Sequence, residues 1–419
     1  MLKENLNKDI GTAKDNQASP IHDWYRFTAG FSYKLVDQII DDNSLTKIDT
    51  IYESFAGCGT TLVSAQKKGV QAVGNEGQEL LYDVINAKLN WNIDKSEILS
   101  FLEMINSDNN RNSIRNEYHD LLKSLYNDHD LYSLYQIKNT LANSQLSEES
   151  NLFLKLSLTQ TLHKCSIHPI AVPYISRSRT LANNLSASQI FQNTVKKMLT
   201  DLDGIESKRR TSQIFYHDSR KENNNIASDS CSICITSPPY LNNLDYGEVS
   251  KVCSHFFDIT SSFSDITEKV RKNLVTGATT HYKEKDFDID KWKKNQFYQH
   301  NKVLIDGLDP KIKLIEEESK KRKGKKSFHI LALYYFEDMY KVLVEMKRVL
   351  KPNGKAYLVL GDSAPYGVFI DTTKILGEIG LNVGFKKFKI VKIRERGTKW
   401  KTLRFRHNLK LSENILILE

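Results

Sequence analysis

"DTIYESFAGCGTTLVSAQKKGVQAVGNE" (49–76) is the stretch that decides how this chain folds. "DTIYESF" (49–55) is rich in β-branched and aromatic residues and reads as a strand. It gives way to "AGCGTTLVSAQKKG", a glycine turn opening a helix, and "VQAVGNE" (70–76) is a second short strand followed by another helical stretch. Strand, helix and strand in that order make one β-α-β unit of a parallel sheet. Gly57 and Gly59 stand at the turn, where a missing Cβ lets the backbone approach a ligand at the carboxyl edge of the sheet. Glu76 ends the second strand, at the spacing where a carboxylate accepts both hydroxyls of a ribose. No Lys-Ser or Lys-Thr follows the glycines, so the turn is not a phosphate loop, and the pair points to an adenosine-containing cofactor without a triphosphate.

Working outward, sheet-like runs return at "SQIFYHD" (212–218) and "CSICITS" (231–237), and "KAYLVLGDS" (355–363) follows a helix over 334–350 and the turn "KPNG". The fold class expected is α/β, a Rossmann-like sheet carrying one helical and one basic insertion. Its parts are 21–95, 211–254 and 329–419. Residues 96–210 form the helical insertion, with apolar residues three and four apart in "ESNLFLKLSLTQTLHKC" and "SQIFQNTVKKMLTDLDGI". Residues 1–20 are polar and unpatterned and read as a flexible arm. Residues 255–328 form the basic insertion, ending in "ESKKRKGKKS"; Lys320, Lys321, Arg322, Lys323, Lys325 and Lys326 read as a solvated, mobile loop able to touch phosphates. From Lys386 to Lys410 basic residues interleave with Phe388, Trp400 and Phe405.

Length favours two domains or one domain with large insertions, since 419 residues exceed one typical core. Hydrophobic residues at 40% exclude wholesale disorder, and 60 Lys and Arg against 51 Asp and Glu give +9, which suits a polyanionic partner such as nucleic acid. Five scattered cysteines point to a reducing compartment instead of a disulfide framework. "MLKENLNKDIGTAKDNQ" has no apolar signal core and no long apolar run occurs elsewhere, so a cytoplasmic protein with no membrane contact is expected.

The chemistry centres on "ICITSPPYLN" (233–242). Ser237, Pro238, Pro239 and Tyr240 end a later strand of the same sheet and so face the same edge. The Ser237 hydroxyl and the Pro238 carbonyl each accept a hydrogen bond from one exocyclic amino group, orienting its nitrogen lone pair. The prolines fix the backbone and the Tyr240 ring offers a stacking face for a planar base. An amine held this way attacks an activated methyl in line, with catalysis coming from positioning and charge stabilisation.

"FAGCGTT" (55–61) and "TSPPY" (236–240) resemble the cofactor and catalytic motifs of S-adenosylmethionine-dependent DNA amino-methyltransferases. "WYRFTAGFSYKLVDQII" (24–40) and "RVLKPNGKAYLVLGDS" (348–363) are similar to flanking segments of that family, and together the matches cover about half the chain. The resemblance implies a Rossmann-like methyltransferase sheet and S-adenosylmethionine as cofactor. Phe55, Ala56, Gly57, Cys58, Gly59, Thr60 and Thr61 would line the methionine and ribose, Glu76 would bind the ribose hydroxyls, and Asp218 would contact the adenine amine. Ser237, Pro238, Pro239 and Tyr240 would be catalytic. Serine at the first position is more typical of relatives acting at cytosine N(4); the setting it implies is a restriction-modification system acting on double-stranded DNA, with a cognate restriction endonuclease as a further partner. Adenine N(6) methylation, RNA guanine methylation and a non-catalytic nucleic-acid-binding protein stand as alternatives.

Cytosine C5 chemistry needs a cysteine nucleophile after the proline, where Tyr240 stands. Cys231 and Cys234 lack a second ligand pair and would point to opposite faces of a strand; His163, Cys165 and His168 read as loop and core residues, so no metal is expected. The chain departs from its relatives in motif order. The glycine motif precedes the catalytic one, which leaves target recognition open between residues 96–205 and 255–328.

Overall fold

A computed structural model describes residues 9–107, 118–170, 174–182, 184–205, 209–322, 326–396 and 409–419. Seven strands form one sheet: β1 (Thr50–Glu53), β2 (Gln71–Glu76), β3 (Ser212–Tyr216), β4 (Cys231–Thr236), β5 (Leu350–Gly361), β6 (Phe388–Arg396) and β7 (Leu411–Leu418). Their order is β3-β2-β1-β4-β5-β7-β6. The first five are parallel, and β7 runs antiparallel to both β5 and β6. From β1 the chain progresses outward to β2 and β3 on one side and to β4 and β5 on the other. The carboxyl ends of β1 and β4 therefore meet at a topological switch point, the crevice where α/β sheets place ligands. This is the α/β, Rossmann-like architecture expected from the sequence.

Alternation along the strands builds a core on each face. Ile51, Ile233, Ile235, Val359 and Ile415 face one way, while Tyr52, Cys234, Leu358, Leu360 and Leu416 face the other. The first face is covered by α1 (Tyr33–Asp42), α2 (Thr60–Lys67) and α3 (Glu79–Leu89), the second by the helices Phe328–Val349 and Thr372–Val383. In α1, Ser32 accepts from the Lys34 amide as an N-cap, and Leu35, Val36, Ile39 and Ile40 form the buried stripe. The stretch from residue 96 is helical as its periodicity implied, with Asp128–Asn143, Glu148–Cys165 and Ala187–Asp203 as its main helices. Phe101, Phe153 and Phe191 from this stretch share one hydrophobic cluster with α1–α3. Trp24 ties the two together, edge-on to Phe153 with ring centroids 5.7 Å apart and donating through Nε1 to Asp201 at 2.7 Å. Among the described residues no helix is long and apolar enough to cross a membrane.

Three local expectations change. Residues 9–20, read as part of a flexible arm, pack onto the domain. Asn16 is buried, donates to the Phe31 carbonyl at 3.0 Å and to Thr60 Oγ1 at 3.2 Å, and accepts from the Tyr33 amide at 2.9 Å. A buried amide with a satisfied network holds this segment, and such a network leaves no periodic signal. Residues 1–8 lie outside the described residues.

The cationic run is not a free loop where it is described. Lys320 ends the helix Lys302–Lys320 and pairs with Glu316 at 2.7 Å, and Lys321 pairs with Glu318 at 2.6 Å. Acid-base spacing of three and four residues supports a helix there. Lys323 and Lys325 lie outside the described residues. The basic stretch from Lys386 contains β6, which pairs with β7 just beyond Lys410, and Trp400 and Phe405 also lie outside the described residues. Finally, Cys231 and Cys234 pack into the same layer, because strand pairing slips between Cys231 and Ile233 and breaks the simple alternation. His163, Cys165 and His168 do not converge: the His163 ring meets Cys253 Sγ at 3.3 Å, while His168 Nδ1 meets the Arg179 carbonyl at 2.7 Å.

Candidate active site

A cleft opens at the switch point, where α/β sheets place small-molecule ligands. Phe55, Ala56, Gly57, Cys58, Thr60, Glu76, Ser237 and Pro239 all line it, so the structure brings most of the expected cofactor residues to Ser237 and Pro239 of the Ser237–Tyr240 tetrapeptide. Gly57 and Gly59 have φ of +57° and +82°, the left-handed region that glycine enters without strain. A Cβ on Gly57 would stand 3.1 Å from the Phe27 ring, which closes over the turn. The glycine turn is thus a cradle whose free space a side chain would fill.

Glu76 is the polar centre of the cleft. Its Oε2 accepts from the Gly57 amide at 2.8 Å and its Oε1 from the Gln78 amide at 2.9 Å. Burial pushes this carboxyl up to about 7, against the pull of those amides. Beneath the turn, Glu53 is fully enclosed and pushed up to about 8 by burial, while accepting from Thr61 Oγ1 at 2.6 Å and from the Phe55 amide at 3.0 Å. Thr61 therefore braces the turn from below and does not line the cleft.

At the tetrapeptide, the Ser237 hydroxyl donates to the Val359 carbonyl of β5 at 3.2 Å. A carbonyl can only accept, so in this bond the hydroxyl is the donor and its lone pairs stay able to accept. The Tyr240 hydroxyl donates to Glu413 Oε1 at 3.0 Å, and Arg394 Nε holds the other oxygen of Glu413 at 2.6 Å. Burial and the adjacent Glu413 push the phenol well above its ordinary value, so it stays neutral. The Arg396 guanidinium lies over the Tyr240 ring, 4.9 Å from its centroid.

Asp218 stands apart from this wall: Arg220 Nε and Nη2 take its two oxygens at 2.9 and 3.0 Å. Sequence reasoning missed Gln78, Leu81, Tyr246 and Leu274, which complete the cleft. Gln78, two residues beyond Glu76, was within reach of a spacing argument. Tyr246 and Leu274 come from segments whose approach to the cleft is purely tertiary. Phe27, Ala29, Gly30 and Phe31 fall in the segment 24–40 that resembled a cofactor-enclosing element.

The group implied by the resemblance fits these residues. The cradle at Gly57 admits a ligand close to the backbone, Glu76 offers an oriented carboxylate to a vicinal diol, and Phe27, Leu81 and Leu274 give apolar walls for an adenine ring.

No family model matches the chain. It is similar along nearly its whole length to the type II methyltransferase M.AvaI, with 23% identity over 427 residues to the proteins of Nostoc sp. and of Anabaena variabilis, covering 93% of this chain and 84% of each relative. It is also 20% identical over 435 residues to the type II methyltransferase M.BsoBI of Geobacillus stearothermophilus, covering 94% of this chain and 84% of that one. With a Rossmann-like sheet and its cleft at the switch point, the chain is a distant homologue of the type II methyltransferases.

Proposed function

We propose that this protein is a type II DNA methyltransferase of a restriction-modification system, transferring a methyl group to the N(4) amine of a cytosine flipped out of double-stranded DNA. The observation that carries the reading is the Ser237 hydroxyl, which donates to Val359 and lines the cleft that holds Glu76 and the glycine turn. A hydroxyl with lone pairs left to accept suits a group that arrives with two N–H donors. S-adenosylmethionine bound in the cleft supplies an electrophilic methyl. Phe55, Ala56, Gly57, Cys58, Gly59 and Thr60 form its cradle, and Glu76 holds the ribose hydroxyls. Ser237 and the Pro238 carbonyl accept from the target amine and turn its lone pair toward the cofactor, while Pro239 keeps the corner rigid. Tyr240, neutral and fixed by Glu413, is the surface on which the flipped base stacks. Segments 96–210 and 255–328 are the candidates for reading the DNA sequence.

The test is to incubate the protein with unmethylated genomic DNA and methyl-labelled S-adenosylmethionine, digest to nucleosides, and identify the labelled base by mass spectrometry. Labelled 4-methylcytosine is expected. Labelled 6-methyladenine would keep the mechanism and overturn the base, and DNA without label would overturn the reading.

A further inference from the structure

Arg396, the last residue of β6, is a cation laid directly on Tyr240 of the tetrapeptide. Its neighbour two residues back, Arg394, is spent on Glu413. The Arg396 side chain makes no hydrogen bond or ion pair among the described residues, and its guanidinium rests on the Tyr240 face. Room for this comes from Gly361 at the end of β5. A Cβ there would stand 2.9 Å from the Tyr240 ring carbons and would collide with Arg396 Nη1. Directly after it, Asp362 is 8% exposed, lies beside Thr373, accepts from the Ser412 amide at 3.1 Å through Oδ2, and has its other oxygen buried without a hydrogen bond of good geometry among the described residues. Asp362 is close enough to Arg396 to feel its charge.

A guanidinium and a buried carboxylate within reach of each other's charge, each with bonding capacity unused among the described residues, are the marks of a site awaiting a ligand. The guanidinium already lies in the layer that a base stacked on Tyr240 would occupy. When a base enters that layer the guanidinium has to slide to its edge, staying in plane. With the amine given to Ser237 and Pro238, cytosine presents two adjacent acceptors, N3 and O2, which match the two parallel N–H groups of an arginine fork. Adenine presents only N1 beside its amine, followed by a C–H.

We infer that Arg396 is a specificity-determining residue that moves from the Tyr240 face to the edge of the flipped base and donates to N3 and O2 of cytosine. Asp362 positions the displaced guanidinium by accepting one of its remaining N–H groups. This rests on the reading of the cleft as an amine methyltransferase.

The test uses the full chain, wild type and with R396A or R396K. The methylated site is first mapped from labelled genomic DNA, and a duplex carrying it is made with cytosine or 3-deazacytosine at the target; the analogue keeps the amine and O2 but lacks the N3 acceptor. For wild type, replacing cytosine by the analogue is expected to lower kcat/KM and duplex affinity, the latter by fluorescence anisotropy, by about ten- to a hundredfold in total. R396A is expected to show that loss already on cytosine, with little further loss on the analogue. R396K, a point charge without a fork, should not restore the discrimination. Binding of S-adenosylhomocysteine should be unchanged in both variants, which separates this from a folding defect. If R396A remains as sensitive to 3-deazacytosine as wild type, or methylates cytosine at the wild-type rate, Arg396 does not read the base. If wild type labels only adenine, the two-acceptor argument is overturned. A wild type that labels no DNA at all overturns the proposed function instead.

Discussion

Glu76 shows how one residue's environment sets a measurable property of the cleft. Its two oxygens are aimed by the Gly57 and Gln78 amides, yet burial raises the carboxyl from 4.5 to about 7. A group whose folded value lies above its unfolded one favours the fold below about pH 4.5 and gives that contribution up as pH rises through about 7. Without ligand, the charged form therefore costs stability at and above neutrality. A vicinal diol rewards the same charged form, since an ionised carboxylate accepts through both oxygens. Affinity for S-adenosylhomocysteine should accordingly rise with pH, by about tenfold between roughly pH 6 and pH 8. Calorimetric titration across this range checks it. E76Q should bind more weakly throughout and show a flatter profile; a wild-type profile that is already flat excludes Glu76 as the titrating contact.

At the scale of elements, the contact between the helix Thr372–Val383 and the β6–β7 pair depends on absent side chains. A Cβ on Gly377 would lie 2.7 Å from the Phe388 ring, and one on Gly380 would lie 2.8 Å from Leu418. Gly307, in the helix Lys302–Lys320, has nothing within 4 Å of its would-be Cβ. Helix propensity favours alanine over glycine by about 1 kcal/mol at an exposed interior position, whereas overpacking a core contact costs about 1–3 kcal/mol. G307A should therefore raise the denaturant midpoint and G377A lower it. A G377A protein at least as stable as wild type would mean that the helix and hairpin can separate freely. The same hairpin marks the limit of what could be read in the sequence. β1, β2 and β4 were legible because a β-branched run ended by Gly, Glu or Pro is a local signal, as was the glycine turn with Glu76. β6 reads "FKIVKIRER", where charge hides the strand; its Arg394 and Arg396 face Glu413 and Tyr240. Asn16 meeting Thr60, and Tyr246 reaching the cleft, are contacts across the fold that no local pattern announces.

For the molecule as a whole, the question is how a net charge of +9 acts when much of it is locally balanced. Lys320, Lys321 and Arg348 all pair with carboxylates on their own helix, and Arg220 sits between Asp218 and Asp338. Such charges hold elements together and have little left for phosphates. The helices of the 96–210 stretch share their core with the sheet, so cations they expose are fixed relative to the cleft instead of riding on a separate body. A fixed array of cations neutralises a set number of phosphates, releasing counterions on binding. The logarithm of affinity for duplex DNA should then fall linearly with that of salt concentration, with a slope of about −0.9 per phosphate neutralised. S-adenosylhomocysteine binding should barely respond to salt, because Glu76 is the one charged side chain among the described residues lining the cleft. K320Q, which removes a cation already paired with Glu316, should leave the DNA slope nearly unchanged. A slope shallower than about −2 for wild type would mean that fewer than about three phosphates are neutralised, and the excess charge would then have no part in holding DNA. A slope reduced by about one unit in K320Q would instead show that the Glu316 pair opens to release its lysine to the backbone of the duplex.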